Sequence, residues 1–455
     1  MPAKTIAHVG PRLKGHIIFV LCLQSFATIL SSTLQPEALI QLFEDAICKE
    51  MSEMRRHPGP TRTGYEFCQS PLVHDEVALV YRVYKAIPAA VAMLCAIPYG
   101  IYASGNSERR KSVLILNGIA ASLAFAWILA ICYFRALSTR SIWLSGMALL
   151  VGGGDTVALS LVYAMVTDVV AEEERSKIFL LLQGSEALGT LWGLRLGPLI
   201  TMAGGGIWVV PLLTLGAMFA RVEIARSLPG NNGFDSDDKG GFRARRPLRS
   251  LLTTTSQVIL LLLMFICQAA SRDVFSTIGL RYLAAKFTLP FDSASTLHTF
   301  VQNCQCVCTI GVVPMIARVV SSFVPWNFWP RDRNFTICFI AFTALGTLIM
   351  GFTEKANAET VGLVLVVLGR CVGPFILSLL AGVARPEQIG IVYSVAIMGG
   401  MVGSHVAEPV FHALLIGGMK WGGGWIGLPF DVVAGSMAVV LLASLFVKRR
   451  AGNEL

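Results

Sequence analysis

The sequence predicts an all-α membrane protein of twelve transmembrane helices arranged as two six-helix bundles. Three observations carry this: an apolar composition, a series of segments each long enough to cross a bilayer, and basic residues gathered between those segments. Of 455 residues, 54% are hydrophobic and only 14% charged, with a mean hydropathy of +0.65. Soluble domains carry about 25% charged residues, so lipid is the solvent this chain suits. A net charge of +9 would fit nucleic acid only if it formed a basic face on a folded domain. Here it is spread over short inter-span segments, as topology signals are, and no nucleic-acid partner is expected.

A membrane-crossing helix needs roughly 20 residues. Spans are expected at about 16–35, 78–103, 113–134, 142–167, 177–200 and 205–221, then 255–283, 294–318, 335–353, 360–382, 389–416 and 428–447. The first has no small-residue cleavage site behind it and reads as a membrane helix rather than a signal peptide. The sixth is short and the seventh and eleventh long, so eleven or thirteen spans fit the same residues. Lys and Arg number 22 on the side holding both termini and about 10 on the other. That bias makes both termini cytoplasmic and favours an even count. The organisation is then a cytoplasmic N-terminus (1–15), a first bundle (16–221), a cytoplasmic linker (222–252), a second bundle (253–447) and a cytoplasmic C-terminus (448–455). The linker is polar, with Asn231, Asn232, Gly233, three Asp and four Arg, a composition that does not build a core.

Charges inside spans cost about 2.5–3.5 kcal/mol each, so they mark a cavity or a partner. Span two carries Arg82 and Lys85, span four Asp155 and span five Glu186 and Arg195. Span seven carries Arg272 and Asp273, span ten Arg370, and span eleven His405, Glu408 and His412. Spans three, six and nine carry none, and span twelve only Asp431 at its rim. The apolar helices are expected to face lipid and the charged ones to line a wet central cavity. Asp155 follows Gly152, Gly153 and Gly154, which permit a local helix break or close packing. It reads as a proton or substrate site, with a static ion pair as the competing reading. Arg370, three residues before Gly373-Pro374, is the candidate for gripping an anionic group; pairing with Asp155 or Glu408 competes with that. Histidines on span eleven titrate near neutral pH and suit proton coupling. Cys304, Cys306 and Cys308 diverge on a helix, and no metal or cofactor is expected. No P-loop, nucleophile elbow or zincin helix is present, so neither an enzyme nor a pump driven directly by ATP is expected.

Several motifs resemble the major facilitator superfamily. The loop after span two carries Gly100, Ser104, Arg109 and Arg110, similar to that family's gating loop, with Ser104 where the family has Asp and about two extra residues. Span five carries Gly184, Gly193 and Gly197-Pro198, similar to the glycine-proline motif of proton-coupled antiporters without its closing glycine pair. Fungal members that accompany secondary-metabolite clusters resemble most of the chain. They share Glu44 to Cys48 and Cys68, Ile97 to Gly100, Thr167 to Val170, Glu174-Arg175-Ser176, and Trp425 to Phe430. The resemblance implies contact of Asp168, Glu174 and Arg175 with the basic loop. It also implies proton-coupled efflux of a small organic metabolite by alternating access. Asp155, Glu186, Asp273 and Glu408 are then proton carriers, with Arg195, Arg272 and Arg370 as their partners or as substrate clamps. Import of a small organic anion or nutrient on the same fold, or a receptor that binds without transporting, are the alternatives. A monomer in the plasma membrane is expected, with the vacuolar membrane as the other location. Cys48 and Cys68, outside the membrane, are expected to form a disulfide.

Overall fold

In the computed structural model, residues 11–54, 68, 70–104, 107–229, 256–272, 274–287, 300–301, 303–323, 327–353, 355–385 and 388–448 are described. Their helices run α1 Pro11–Met54, α2 Pro71–Tyr102, α3 Ser107–Phe134, α4 Ser145–Gly152, α5 Gly154–Val169, α6 Glu172–Met202 and α7 Val209–Arg226. After the linker, of which residues 230–255 lie outside the described residues, come α8 Ser256–Arg272, α9 Val274–Phe287 and α10 Val313–Phe323. The series ends with α11 Phe328–Phe352, α12 Ala356–Gly369, α13 Gly373–Val383, α14 Ile389–Trp421 and α15 Leu428–Leu445. Nine helical stretches among the described residues are long and apolar enough to cross a membrane, and α8 is a shorter apolar helix. Helix α6 falls outside that group, since Glu186 and Arg195 interrupt its apolar stretch beyond the acidic first turn. It nevertheless packs along α1 in the middle of the first bundle.

The sequence underestimates several helices. Helix α1 was expected to leave the membrane near residue 35 but continues through Pro36 to Met54, 44 residues in all. At about 1.5 Å per residue that is about twice the hydrocarbon thickness. The continuation is not a polar loop: Leu39, Leu42, Phe43, Ala46 and Ile47 are buried against Val73, Val77 and Val80 of α2 and Phe125 and Ile128 of α3. Its charges are met on the far side, Lys49 by Asp45 (2.6 Å) and the Glu50 carboxylate by the Thr139 N–H (2.9 Å). Helix α2 starts at Pro71, where the missing N–H costs nothing. Spans four, seven and ten each consist of two helices, and part of span eight is a π-turn, Cys308–Val312.

Lys14, Arg110, Arg226 and Arg331 mark one end of the molecule, called here the inner end, which the basic-residue bias assigns to the cytoplasm. The two halves meet there through buried contacts. Ser160 and Ser394 hydroxyls lie 3.2 Å apart, and a Cβ on Gly100 would sit 2.8 Å from Ser394 Oγ. Asp332 on α11, fully buried, accepts from Ser176 on α6 (3.0 Å), from Ser378 on α13 (2.7 Å) and from Arg331 Nε (3.0 Å). Arg331 also donates to the Glu173 carbonyl (2.9 Å), tying α11 to α6 a second time. Above these contacts Tyr163 and Phe179 of one half meet Tyr393 of the other in an aromatic layer, with centroids 5.1 to 6.5 Å apart. Toward the outer end, Arg195 of α6 donates to Asn303 (3.0 Å), and that pair is exposed.

Candidate functional site

The site begins with a broken helix. Between α4 and α5, Gly153 and Gly154 have φ of 77° and 70°, a conformation that other residues rarely adopt. A break releases backbone carbonyls in an environment without water to satisfy them. Asn117 of α3 meets two of them, its Nδ2 donating to the carbonyls of Gly152 (3.0 Å) and Gly154 (2.8 Å). Its Oδ1 accepts from Arg221 Nη2 at 2.8 Å, and the same nitrogen donates to Asp155 Oδ1 at 2.8 Å. Nη1 reaches Ser31 of α1 at 3.4 Å. Arg221 is only 1% exposed. It stands at the last residue of the expected span six (205–221), the span read as uncharged. Helix α7 in fact continues to Arg226 and packs tightly on α3, where a Cβ on Gly118 would lie 2.8 Å from Val222, and this draws the guanidinium into the bundle. The competing reading of Asp155 as an ion-paired group thus describes one side of its carboxylate. The side chain remains about 39% exposed and borders a cavity.

That cavity, about 320 Å³, lies between the halves. Asp155, Thr156 and Tyr163 come from α5, Gln183 and Glu186 from α6, and Gln268 and Arg272 from α8. Helix α13 adds Pro374 and Leu377, and α14 adds Met401, Ser404 and His405. Tyr163 donates to Glu186 Oε1 at 3.1 Å, and Arg272 lies within electrostatic reach of the same carboxylate. His405 Nδ1 is 2.9 Å from the Met401 carbonyl. None of the lining residues comes from α3, α7, α11 or α15, the spans expected to face lipid. Those spans are not free of buried charge, however: Arg110, Arg221, Arg331 and Asp332 are all buried at their inner ends. Each lies where its helix extends several residues beyond its apolar core.

The cavity gathers four of the eight expected pathway residues: Asp155, Glu186, Arg272 and His405. Arg370 is not among its lining residues and pairs with neither Asp155 nor Glu408. Buried at a one-turn 3-10 segment between α12 and α13, its Nε and Nη2 donate to the carbonyl of Arg272 at 3.0 and 2.7 Å. It thereby caps the end of α8, the favourable place for a cation at a helix C-terminus. Arg195 faces outward to Asn303, and Glu408 is half-buried on α14 outside the lining set. Arg82 and Lys85 are exposed. Asp273 lies outside the described residues.

At the inner end Arg110 is buried and donates to the carbonyls of Ala103 and Ala164 (3.0 Å each) and to Asp168. Arg109 stacks over the Tyr102 ring, 5.5 Å from its centroid, and Ser104 donates to the Gly100 carbonyl at 2.7 Å. Glu174 does not meet the basic loop; it accepts from Lys14 of α1 at 2.5 Å, which holds its carboxyl below the usual carboxylate range. Arg175 is buried. In α6, small residues let neighbours approach: a Cβ at Gly184 would lie 2.6 Å from Ile310 of the other half, and one at Gly193 would overlap Thr33 of α1. Gly197 is buried one residue before Pro198. On the outer side Cys48 and Cys68 are joined in a disulfide, with Cα atoms 5.2 Å apart.

Sequence reasoning missed Arg221, Asn117, Gln183 and Gln268. A lone Asn or Gln inside an apolar run was the available signal, since buried amides need partners.

Residues 85–407 match the family model described as Major Facilitator Superfamily. The efflux pump atnC of Emericella nidulans is 24% identical over 459 residues, spanning 95% of this chain and 88% of its own length. The efflux pump ustT of Aspergillus flavus is 23% identical, over 84% of this chain and 79% of its own. Among solved structures, the transporter FucP in an outward conformation superposes with a TM-score of 0.69 at 14% identity, covering 95% of this chain and 99% of that one. The human organic anion transporter MFSD10 gives 0.63 at 15%, covering 96% and 100%. At these identities the structural likeness is one of fold.

Proposed function

The chain belongs to the major facilitator superfamily of membrane transporters, and from that premise we propose that it exports a small organic metabolite in exchange for protons. The observation that carries this reading is the convergence of Asp155, Glu186, Arg272 and His405, from both halves, on one cavity sealed at its inner end. Charges at bilayer depth persist where a wet passage reaches them. Asp155 and Glu186 are the proton carriers in this scheme, since each presents a carboxylate to the cavity and has a neutral or cationic partner behind it. The arrangement corresponds to the outward-facing member of an alternating pair. Proton entry from outside and loss of the inner contacts would expose the same groups to the cytoplasm. The named efflux pumps among the relatives support the outward direction.

Metabolite profiling of a strain lacking the protein tests the direction: an exporter leaves its solute accumulated in the cells and depleted from the medium. The reverse distribution would establish import instead. Counterflow of that solute in proteoliposomes with and without a pH gradient tests the coupling. Flux indifferent to the gradient rejects proton exchange and leaves transport standing.

A further inference from the structure

The charged groups of the cavity answer one another. Arg221 holds Asp155 from behind, and Glu186, which accepts from Tyr163, lies within electrostatic reach of Arg272. The wall also carries two neutral amides. Gln268 of α8, 4% exposed, borders the cavity with no hydrogen-bond partner among the described residues. Gln183 of α6, 8% exposed, donates through Nε2 to the Arg370 carbonyl at 3.2 Å, while its Oε1 has no partner. The two amides come from opposite halves and border the same space. A buried acceptor without a partner carries a desolvation penalty, which falls on Gln183 Oε1, and Gln268 brings an unpaired donor and acceptor to the cavity wall, so each is a position that a bound molecule would complete. The rest of the wall is largely apolar, with Phe265, Leu377, Ile397 and Met401 among it.

We infer that the cavity takes a compact, neutral, amide-bearing solute, bridged between Gln183 of one half and Gln268 of the other with its apolar body against Phe265, Leu377, Ile397 and Met401. An N–H of the solute donates to Gln183 Oε1 once that terminal amide turns toward the cavity, and Gln268 supplies the complementary donor and acceptor. A polyol would press surplus hydroxyls against the apolar wall. An anion would meet two carboxylates, Asp155 and Glu186, against the single guanidinium of Arg272. A volume of about 320 Å³ sits at the small end of ligand pockets. Because the bridge spans both halves, it forms or breaks as they move. The inference rests on the transport reading for its biological meaning, but its chemistry is tested by binding alone.

The test uses the full chain purified in detergent and three probes: the neutral cyclic dipeptide cyclo(Leu-Leu), its N,N′-dimethyl derivative, and the N-acetyl-leucine anion. Titration should show cyclo(Leu-Leu) binding, with the dimethyl derivative weaker by about tenfold or more because its donors are gone, and the anion weaker still. Gln183→Leu should weaken the unmethylated probe by about tenfold and leave the methylated one unchanged, whereas Gln268→Leu should weaken both, because the dimethyl derivative keeps the carbonyls that accept from the Gln268 amide. Equal affinity for the two cyclic probes, preference for the anion, or no binding of cyclo(Leu-Leu) overturns the inference. The methylation arm needs no substitution, so a variant that misfolds does not blunt it. Failure of the transport reading looks different: the probe would bind and yet not cross proteoliposomes under any gradient.

Discussion

Arg221 is where the residue scale is most informative, because one guanidinium serves Asp155, Asn117 and Ser31 at once. Removing one partner of a buried ion pair costs roughly 3–5 kcal/mol. Here the half-exposed Asp155 carboxylate can recover some hydration from the cavity, so Arg221→Ala is expected at or below the low end of that range. Thermal denaturation in detergent should show a lower melting temperature for Arg221→Ala, partly restored by adding Asp155→Asn, which removes the orphaned charge. An unchanged melting temperature in the single variant would contradict the network. At the outer end, the bridge closing 20 residues between Cys48 and Cys68 should contribute about 3 kcal/mol by loop entropy. Cys48→Ser, or a reductant, should lower the melting temperature, and reductant should have no further effect on the variant. The sequence disclosed Asp155, Glu186, Arg272 and His405 because charge inside an apolar run is conspicuous. It hid Gln183 and Gln268, whose polarity is ordinary and whose meaning lies in what they fail to touch. It misplaced Arg370, since only the fold reveals that this arginine faces the end of α8.

Among the elements, the α4–α5 break governs where Asp155 sits. A side chain at Gly153 would be strained by its φ of 77° and would also meet Val157 Cγ2 at 2.7 Å and Tyr99 at 3.0 Å. At Gly154 the φ of 70° is the only obstacle, with Val91 no nearer than 3.9 Å. Gly154→Ala should therefore lose about 1 kcal/mol of stability and Gly153→Ala about 2–3 kcal/mol. Flux per folded molecule should fall more steeply for Gly153→Ala, because relaxing that residue moves Asp155; equal losses would refute the argument. The glycine run was readable in advance as a break or a close contact. The long outer half of α1 was not readable, because its charges suggested a loop. Its apolar face at Leu39, Leu42, Phe43 and Ala46 follows a helical period that only makes sense once α2 and α3 stand beside it. The inner ends of α3, α7 and α11 were hidden for the same reason, their buried arginines resembling loop charges until Asp155, Asp168 and Asp332 were placed opposite them.

For the whole molecule, the twelve-span, all-α architecture was legible from composition and span length, whereas the contacts that hold its present state were not. The inner seal rests on a few buried polar contacts between halves, chiefly Asp332 with Ser176 and Ser160 with Ser394. Asp332→Ala frees three donors at once and should shift the population toward the inward-open state, read as faster labelling from the cytoplasmic side of a cysteine introduced at Ser160. In the proposed cycle the halves separate at this seal while pivoting about the shared cavity. Its most direct measurement is a cross-link. With Ser160→Cys and Ser394→Cys together, oxidation should join the halves at a point where the native hydroxyls are 3.2 Å apart. Oxidised protein should lose flux in proteoliposomes, retain solute binding from the outer side, and recover transport on reduction. Full flux through the cross-linked protein would contradict that cycle.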